Sequence, residues 1–210
     1  MKEYELPNFI QSNATRERYD KIVARGMTPL IIDCGANCGM SVLWWRKVFP
    51  LAKIIAIEPS SENFDALIAN THHDSRIECI KSAIWSRRTT LHVDNPADSA
   101  WALRFSDHGA DLEERPSGQT DTITISEIIE NEVSDDNLLI LKIDIEGGEK
   151  QLFSENIDWI SATPLLIIET HDSLQPGART SLPLFKALVD HDYEICFNGE
   201  NAFIFFSKAE

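Results

Sequence analysis

Asp33-Cys34-Gly35-Ala36-Asn37-Cys38-Gly39 is the segment that decides the fold, because it follows directly on the apolar run Leu30-Ile31-Ile32. A buried strand is predicted to run here into a glycine-containing turn and then into a helix. A second apolar run, residues 54–57, ends at Glu58. Parallel strands end at the same edge of a sheet, so the pattern predicts a pocket for a nucleoside-containing cofactor at that edge.

From residue 30 onward, short apolar runs alternate with amphipathic segments. The apolar runs are rich in Ile and Leu, which is typical of parallel strands that are covered on both faces. The predicted strands are 30–34, 53–57, 76–80, 138–143 and 164–169. The predicted helices are 15–25, 39–49, 61–70 and 182–190. This alternation predicts an α/β fold with a doubly wound sheet and helices on both faces.

The C-terminal segment departs from this alternation. Residues 193–197 and 202–206 are both strand-like, and Asn198-Gly199 between them is a strong hairpin signal. The sheet is therefore expected to end in an antiparallel pair.

Two segments lie outside the regular pattern of what is predicted to be a single domain, residues 1–210. Residues 1–26 are polar and are expected to form an N-terminal helical extension. Residues 94–122 are rich in loop-forming residues, and we interpret them as an irregular insertion that forms a lid over the acceptor site. A disordered segment without a function explains this composition equally well. Trp101 is the residue of the insertion best suited to contact an acceptor.

The composition limits the partners of the protein. Its 19 basic and 34 acidic residues give a net charge of −15, which argues against a nucleic-acid or anionic-membrane surface. No stretch has the form of a signal peptide or reaches the ~18 apolar residues that span a bilayer. The four cysteines have neither zinc-site nor disulfide-framework spacing. Together these features predict a cytoplasmic enzyme.

The spacing of the glycine-containing turn indicates the chemistry of the cofactor. A pyrophosphate-binding turn has the pattern G-x-G-x-x-G, whereas this turn has Asp33, Gly35 and Gly39. A carboxylate repels a pyrophosphate but attracts a cation, and S-adenosylmethionine (SAM) carries an ammonium and a sulfonium and no phosphate. Gly35 would let the backbone approach the methionine moiety, and Gly39 would let the helix pack close to the strand. Glu58 is placed to accept both ribose hydroxyls.

A further acidic segment, residues 141–149, has the sequence Leu-Lys-Ile-Asp-Ile-Glu-Gly-Gly-Glu and ends the fourth predicted strand. If the first and fourth strands flank the point where the strand order reverses, Asp144 faces the same crevice as Asp33. Glu146 follows in the turn. Glu149 begins the next helix, where a favourable interaction with the helix dipole explains it as well as a functional role does.

These motifs resemble those of the FkbM family of SAM-dependent methyltransferases over residues 30–171. The resemblance rests on residues 33–39, 57–59 and 82–83 and, most distinctively, on 141–149. It implies a class I methyltransferase (Rossmann-like) fold, with a seven-stranded, mostly parallel sheet of strand order 3-2-1-4-5-7-6. It also implies O-methylation of a hydroxyl, often on a sugar or secondary metabolite. The residues assigned to the SAM site are Asp33, Gly35, Ala36, Asn37, Gly39, Glu58, Pro59, Ser82, Ala83 and Asp144.

Transfer to a hydroxyl requires removal of the acceptor proton, and candidates for this role lie near the same crevice. They are His171, Asp144, Glu146 and Lys142. His171 follows the fifth predicted strand, and its ordinary pKa of ~6.5 suits a base at neutral pH. A surface histidine without a role is the alternative. Lys142 shares the strand face of Asp144, so an ion pair explains it better than a role as base.

Asp144, Glu169 and His171 also have the ligand types that hold a divalent metal such as Mg²⁺ or Mn²⁺. Such a metal would lower the pKa of the acceptor hydroxyl. Metal dependence is the alternative rather than the main prediction, because the sequence does not show that these side chains converge.

The sequence thus predicts a SAM-dependent O-methyltransferase that acts on a hydroxyl of a small molecule or a glycan. Two other functions stay open. One is an NAD-dependent Rossmann oxidoreductase, against which the missing G-x-G-x-x-G argues. The other is a SAM-binding module without catalysis.

Overall fold

We describe the protein from a computed structural model, in which residues 14–93, 105–106, 118–134, 136–174 and 176–207 are described. The strands are, in chain order, β1 (Leu30–Cys34), β2 (Lys53–Ile57), β3 (Ile77–Ile80), β4 (Ala83–Ile84), β5 (Thr90–Val93), β6 (Phe105–Ser106), β7 (Gln119–Ile123), β8 (Leu138–Ile143), β9 (Leu165–Glu169), β10 (Tyr193–Asn198) and β11 (Asn201–Phe206). The helices are α1 (Ala14–Ala24), α2 (Met40–Val48), α3 (Ser61–Thr71), α4 (Ile125–Glu132), α5 (Glu149–Leu152) and α6 (Leu182–Leu188).

A central seven-stranded sheet has the order β3-β2-β1-β8-β9-β11-β10. Neighbouring strands pair in parallel, except that β11 is antiparallel to both β9 and β10. Numbered within the sheet, this is the order 3-2-1-4-5-7-6. The predicted class I methyltransferase fold, with its antiparallel C-terminal hairpin, is therefore confirmed.

Helices cover both faces of this sheet. Side chains of α1, α2 and α3 pack against one set of strand residues, among them Ile31 and Ile54. Side chains of α4, α5 and α6 pack against the alternate residues, among them Leu30 and Ile32. Because successive side chains of a strand point to opposite faces, each apolar run contributes to two cores. The near-continuous apolar character of the strands follows from this two-sided burial.

A second sheet, of order β4-β7-β5-β6, was not predicted from the sequence. β6 and all but the last residue of β7 lie within residues 94–122, so the description of that segment as irregular is wrong for them. In β7 the inward-facing residues are Thr120 and Thr122, whereas Gln119 and Asp121 are exposed. Exposed and buried residues therefore alternate along β7, but these four residues are all polar, so the sequence shows no alternation of apolar and polar residues. Residues 94–104 and 107–117 of the insertion, Trp101 among them, lie outside the described part of the chain.

Helix α1 joins the N-terminal segment to the sheet. Tyr19 and Ile22 are buried in the core on its face of the sheet. Arg18 donates from Nε to Leu138 O at 2.9 Å and forms an ion pair with Asp136 at 2.8 Å. The predicted helix of residues 15–25 is thus present, and residues 1–13 lie outside the described part.

The helices and strands predicted for the central sheet end within two residues of the observed ones. Among the described residues, none of the helices has the length and apolar character needed to cross a bilayer.

Candidate active site

The turn after β1 is built on left-handed backbone conformations. Gly35 has a φ of 81°, Asn37 of 51° and Gly39 of 89°. The backbone N–H groups of Gly35 and Ala36 both donate to Ile57 O at 2.9 Å. The turn and the end of β2 therefore form one hydrogen-bonded unit at the carboxyl edge of the sheet.

Both glycines of the turn have close neighbours, and those of Gly35 are backbone atoms. A Cβ atom at position 35 would lie 1.7 Å from the carbonyl oxygen of Asp144, so only glycine lets the turn pass the end of β8. A Cβ atom at position 39 would lie 2.8 Å from Leu67 Cδ1 of α3. The sequence interpretation gave Gly39 a helix–strand contact, and the structure shows a contact between helices instead. Gly35 also lines the cavity described next, in addition to its contact with β8.

A cavity lies at the carboxyl ends of β1, β2 and β8. Three carboxylates line it, Glu58, Asp144 and Glu146, and no lysine or arginine of the described residues does. The excess of negative charge favours a ligand that carries positive charge.

Glu58 connects the two loops that frame the cavity. It is 5% exposed, and its Oε2 accepts a hydrogen bond from Asn37 N at 3.0 Å. Its Oε1 accepts from Ser60 N at 2.9 Å and from Asn63 Nδ2 at 3.4 Å. Burial raises the pKa of Glu58 above its ordinary value, against the opposing effect of these N–H donors. Because a carboxylate oxygen can accept two hydrogen bonds, Oε2 can take a further donor from a ligand.

The remaining residues assigned to the cofactor from the sequence fall into two groups. One group lines the cavity together with Gly35, Glu58 and Asp144. Its members are Asn37, Pro59, Ser82 and Ala83. Those that do not line it are Asp33, Ala36 and Gly39. Ala36 is also 1% exposed, so this small residue is part of the packed turn.

Asp33 lies on the α2 face of the sheet, where it is completely buried. It is the ladder partner of Lys142 in the pairing of β1 with β8. Lys142 Nζ lies 3.2 Å from Asp33 Oδ1 and 3.4 Å from Asp144 Oδ2. Trp45 Nε1 donates to Asp33 Oδ2 at 3.2 Å. The expectation that Asp33 faces the cavity is therefore wrong, whereas the ion pair expected for Lys142 is confirmed.

The protonation of Lys142 follows from these neighbours. Burial by itself would lower its pKa, but the carboxylates of Asp33 and Asp144 outweigh burial and raise that pKa above its ordinary value. Lys142 therefore stays protonated at neutral pH and cannot accept a proton from a hydroxyl. The suggestion that it acts as the base is corrected accordingly.

His171 lies in a group of carboxylates next to the cavity. It is 6% exposed, and its Nδ1 lies 2.8 Å from Glu149 Oε1. Its Nε2 lies 3.5 Å from Glu146 Oε2, 3.6 Å from Glu169 Oε1 and 3.8 Å from Asp144 Oδ1. The catalytic and metal-ligating candidates that the sequence placed at the ends of β8 and β9 thus converge. We call Asp144, Glu146, Glu169 and His171 the histidine cluster.

The carboxylates change the protonation of His171 from what its residue type suggests. Burial by itself would lower the pKa of His171, but the hydrogen bond with Glu149 and the nearby carboxylates raise that pKa to about 9. Burial, followed by the neighbouring charge of Asp144, raises the pKa of Glu169 to about 7. The ordinary pKa assumed for His171 in the sequence analysis is therefore wrong for this environment.

Glu149 is the residue whose role the sequence left undecided. It is 1% exposed, and its Oε1 contacts His171 Nδ1 and accepts from Gly147 N at 3.3 Å. Its Oε2 accepts no hydrogen bond from the described residues. A buried carboxylate is costly unless it is paired, so its burial against His171 is not explained by the helix dipole alone. The sequence did offer one signal for a role of Glu149, which is its place in segment 141–149, the most distinctive part of the family resemblance.

One wall of the cavity was missed by the sequence analysis. It is apolar and comes from the second sheet and the residue after β4, and its members are Ile84, Trp85, Leu91 and Phe105. These residues belong to short strands or their ends, which carry no motif. They approach the cofactor edge only because β4 pairs with β7 across the insertion.

Residues 33–195 match the family described as “Methyltransferase FkbM domain”. The chain belongs to this family. The match to the FkbM methyltransferase family includes the turn after β1, the segment 141–149 and every member of the histidine cluster. The family predicted from the motifs is therefore confirmed.

Individual relatives of this FkbM-family chain are more distant. “Methyltransferase sdnD” from Sordaria araneosa is 35% identical over 54 residues, which are 26% of this chain and 21% of that protein. The crystal structure of monomeric WbdD is 12% identical with a TM-score of 0.48, over 97% of this chain and 44% of that one. Precorrin-6y C5,15-methyltransferase from Geobacter metallireducens is 11% identical with a TM-score of 0.45, over 100% of this chain and 92% of that one. The chain thus spans less than half of WbdD and matches about a fifth of the Sordaria protein.

Proposed function

We propose that the chain is a SAM-dependent O-methyltransferase that transfers a methyl group, within a single domain, to a hydroxyl of a small molecule or a glycan. The observation that carries the proposal is the cavity lined by Glu58, Asp144 and Glu146 and by no lysine or arginine of the described residues. This charge favours a sulfonium and an ammonium and opposes a pyrophosphate. Membership of the FkbM methyltransferase family supports the same reaction class.

The cavity offers a partner for each part of SAM. Glu58 Oε2, with one further acceptor position, suits a ribose hydroxyl. The flat apolar surfaces of Trp85 and Phe105 suit the adenine ring. Asp144 and Glu146 line the cavity and also approach His171, so the positively charged sulfonium is expected at this end. In this orientation the methyl group points toward the histidine cluster.

The proposal of a hydroxyl acceptor rests on the side chains next to the expected position of the methyl group. Methyl transfer is an in-line displacement whose rate depends mainly on alignment, and a hydroxyl must also lose its proton. Asp144 and Glu146, which line the cavity, are the carboxylates proposed to take that proton. Lys142, which stays protonated, helps to hold Asp144 in position.

Calorimetric titration with SAM, S-adenosylhomocysteine and NAD tests the cofactor. We expect the first two to bind and NAD not to bind. Glu58→Ala should weaken S-adenosylhomocysteine binding by about 10- to 100-fold, because a hydrogen bond to a charged group is worth roughly 1.5–3 kcal/mol. Binding of NAD alone would overturn the proposed function.

The matched control for this substitution is Glu62→Ala. Glu62 is exposed in the first turn of α3 and does not line the cavity, so its removal should leave the affinity unchanged. Glu58 also accepts hydrogen bonds from the backbone of Asn37 and Ser60, so its loss can unfold the protein. The melting temperature of each variant is therefore measured. If Glu58→Ala does not fold, Glu58→Gln is used in its place. Wild-type affinity in a folded Glu58 variant would refute its contact with the ribose.

The position of methyl transfer is tested with methyl-labelled SAM and a panel of sugars and small hydroxylated molecules. We expect the label on an oxygen atom of the product, as determined by mass spectrometry. A label found only on nitrogen or carbon would contradict the O-methyltransferase assignment and leave the cofactor assignment intact.

A further inference from the structure

We propose that Asp144, Glu169 and His171 bind a divalent metal cation that holds the acceptor oxygen next to the methyl group of the cofactor. The inference extends the proposed function and rests on it for the identity of the neighbouring ligand. The metal site itself rests on the geometry of side chains at the ends of β8 and β9.

Three potential ligand atoms converge at this point. One carboxylate oxygen of Asp144, one of Glu169 and a ring nitrogen of His171 all lie within 4.8 Å of one another. They come from two neighbouring strand ends, so the ladder between β8 and β9 fixes their separation. Two carboxylates and one imidazole form an ordinary three-residue set for a divalent ion with open positions.

The distances around Nε2 exceed those of hydrogen bonds, and they fit both long ion pairs of His171 and ligands that share one ion. Nε2 lies 3.6 Å from Glu169 Oε1 and 3.8 Å from Asp144 Oδ1. A charge-assisted hydrogen bond would bring these atoms to about 2.7–2.9 Å. Ligands that each lie about 2.1 Å from one ion are separated by roughly 3 to 4 Å. A small cation placed between the three side chains accounts for this spacing.

His171 supplies the nitrogen ligand of the proposed set. It is 6% exposed, and no described residue forms a hydrogen bond with its Nε2, although this atom points into the cluster. The contacts of Nε2 are ion pairs with Glu146, Glu169 and Asp144 at 3.5–3.8 Å, and a metal ion would hold this nitrogen more closely than they do.

Glu149 places His171 in the orientation that a metal requires. Its Oε1 lies 2.8 Å from Nδ1, so Nδ1–H can donate to this carboxylate when a metal ion displaces the proton from Nε2. Glu149 is 1% exposed, so solvent does not compete for this contact. A buried carboxylate behind a histidine ligand is a common arrangement in metal sites.

The charge of the cluster also favours a cation. Asp144, Glu146 and Glu169 converge on Nε2 of His171, and Lys142 shares its single charge between Asp144 and Asp33. Among the described residues, neither Glu146 nor Glu169 forms an ion pair with a lysine or an arginine. Even with His171 protonated, the carboxylates outnumber the positive charges here, and a divalent ion would relieve their repulsion.

The expected ion is one that accepts both oxygen and imidazole ligands. Mn²⁺ and Zn²⁺ do so, whereas Mg²⁺ and Ca²⁺ prefer oxygen alone. Three protein ligands leave coordination positions open. Because Asp144 also lines the cofactor cavity, an open position lies on the cavity side, where an acceptor hydroxyl would bind and lose its proton more readily.

Calorimetric titration of the EDTA-dialysed protein with MnCl₂ tests the site without requiring turnover. We expect one saturable site per chain, also seen as loss of the free Mn²⁺ signal in electron paramagnetic resonance. Glu169→Gln should weaken Mn²⁺ binding by at least about 100-fold, because loss of an outer-shell contact alone costs about 10- to 100-fold. Asp144→Asn should do the same.

The matched control is Glu155→Gln, which makes the same chemical change at an exposed carboxylate paired with Arg87. It should bind Mn²⁺ as the wild-type protein does. Absence of saturable binding, or equal affinity in Glu169→Gln and the wild type, would overturn the metal site. Binding of S-adenosylhomocysteine in EDTA is measured in parallel, because its retention would leave the proposed function standing when the metal site fails. Its loss in every condition would instead refute the proposed function.

Discussion

Gly35→Ala is expected to lower the free energy of unfolding by more than about 4 kcal/mol. The φ of 81° at this position costs an alanine about 1–2 kcal/mol. The larger cost comes from the Cβ atom, which would lie 1.7 Å from Asp144 O. Neither side can move freely, because Gly35 N donates to Ile57 O at 2.9 Å and Asp144 N donates to Cys34 O at 3.0 Å. Urea denaturation followed by circular dichroism measures the loss.

Gly26→Ala is the matched control for the backbone conformation. Gly26 has a φ of 75°, and a Cβ atom there would have no neighbour within 4 Å. Its substitution should therefore cost only about 1–2 kcal/mol. If Gly35→Ala costs no more than Gly26→Ala, the close passage of the turn along β8 does not explain the glycine, and a role toward the cofactor becomes the better account.

The central sheet was predictable because its strands are buried on both faces. The apolar runs that became β1, β2, β8 and β9 are dense in Ile and Leu, and no other element type fits their length. The Asn198-Gly199 turn indicated that the sheet ends in an antiparallel pair of strands. The second sheet was not predictable, since the inner residues of β7 are threonines and β4 and β6 have two residues each.

The candidate site was predictable where residues follow the end of a strand. Glu58 follows Ile57 and Asp144 follows Ile143, and both reach the cavity edge. Asp33 lies one residue before the end of β1, so the ladder directs its side chain to a sheet face that α2 covers. A single position thus separates a residue that can meet a ligand from one that is buried. Motif resemblance alone does not make this distinction.

The location of His171 was also predictable, but its ionisation was not. Its place after β9 follows from the chain order. The rise of its pKa to about 9 depends on the hydrogen bond with Glu149 and on carboxylates that come from a separate strand end. Such convergence depends on the side-chain geometry around β8 and β9, which a strand assignment does not give.

Lys142→Met is expected to destabilise the fold by about 3–5 kcal/mol, because it leaves the carboxylate of Asp33 buried without its cation. Asp33 is 0% exposed, and Lys142 Nζ at 3.2 Å is the charge that compensates it. Methionine keeps much of the length and the packing of the lysine stem. The free energy of unfolding is measured by urea denaturation at neutral pH, where Lys142 is protonated.

Lys53→Met is the matched control, since Lys53 also bridges two carboxylates, Glu78 at 2.9 Å and Glu132 at 2.6 Å. Its side chain is 34% exposed, so its loss should cost at most about 1 kcal/mol.

The double variant Asp33→Asn/Lys142→Met removes both charges, and its asparagine can still accept from Trp45. It should therefore be more stable than Lys142→Met alone. That order of stabilities would show that Lys142 acts through a buried ion pair. A Lys142→Met protein as stable as the wild type would instead show that the pair with Asp33 does not stabilise the fold.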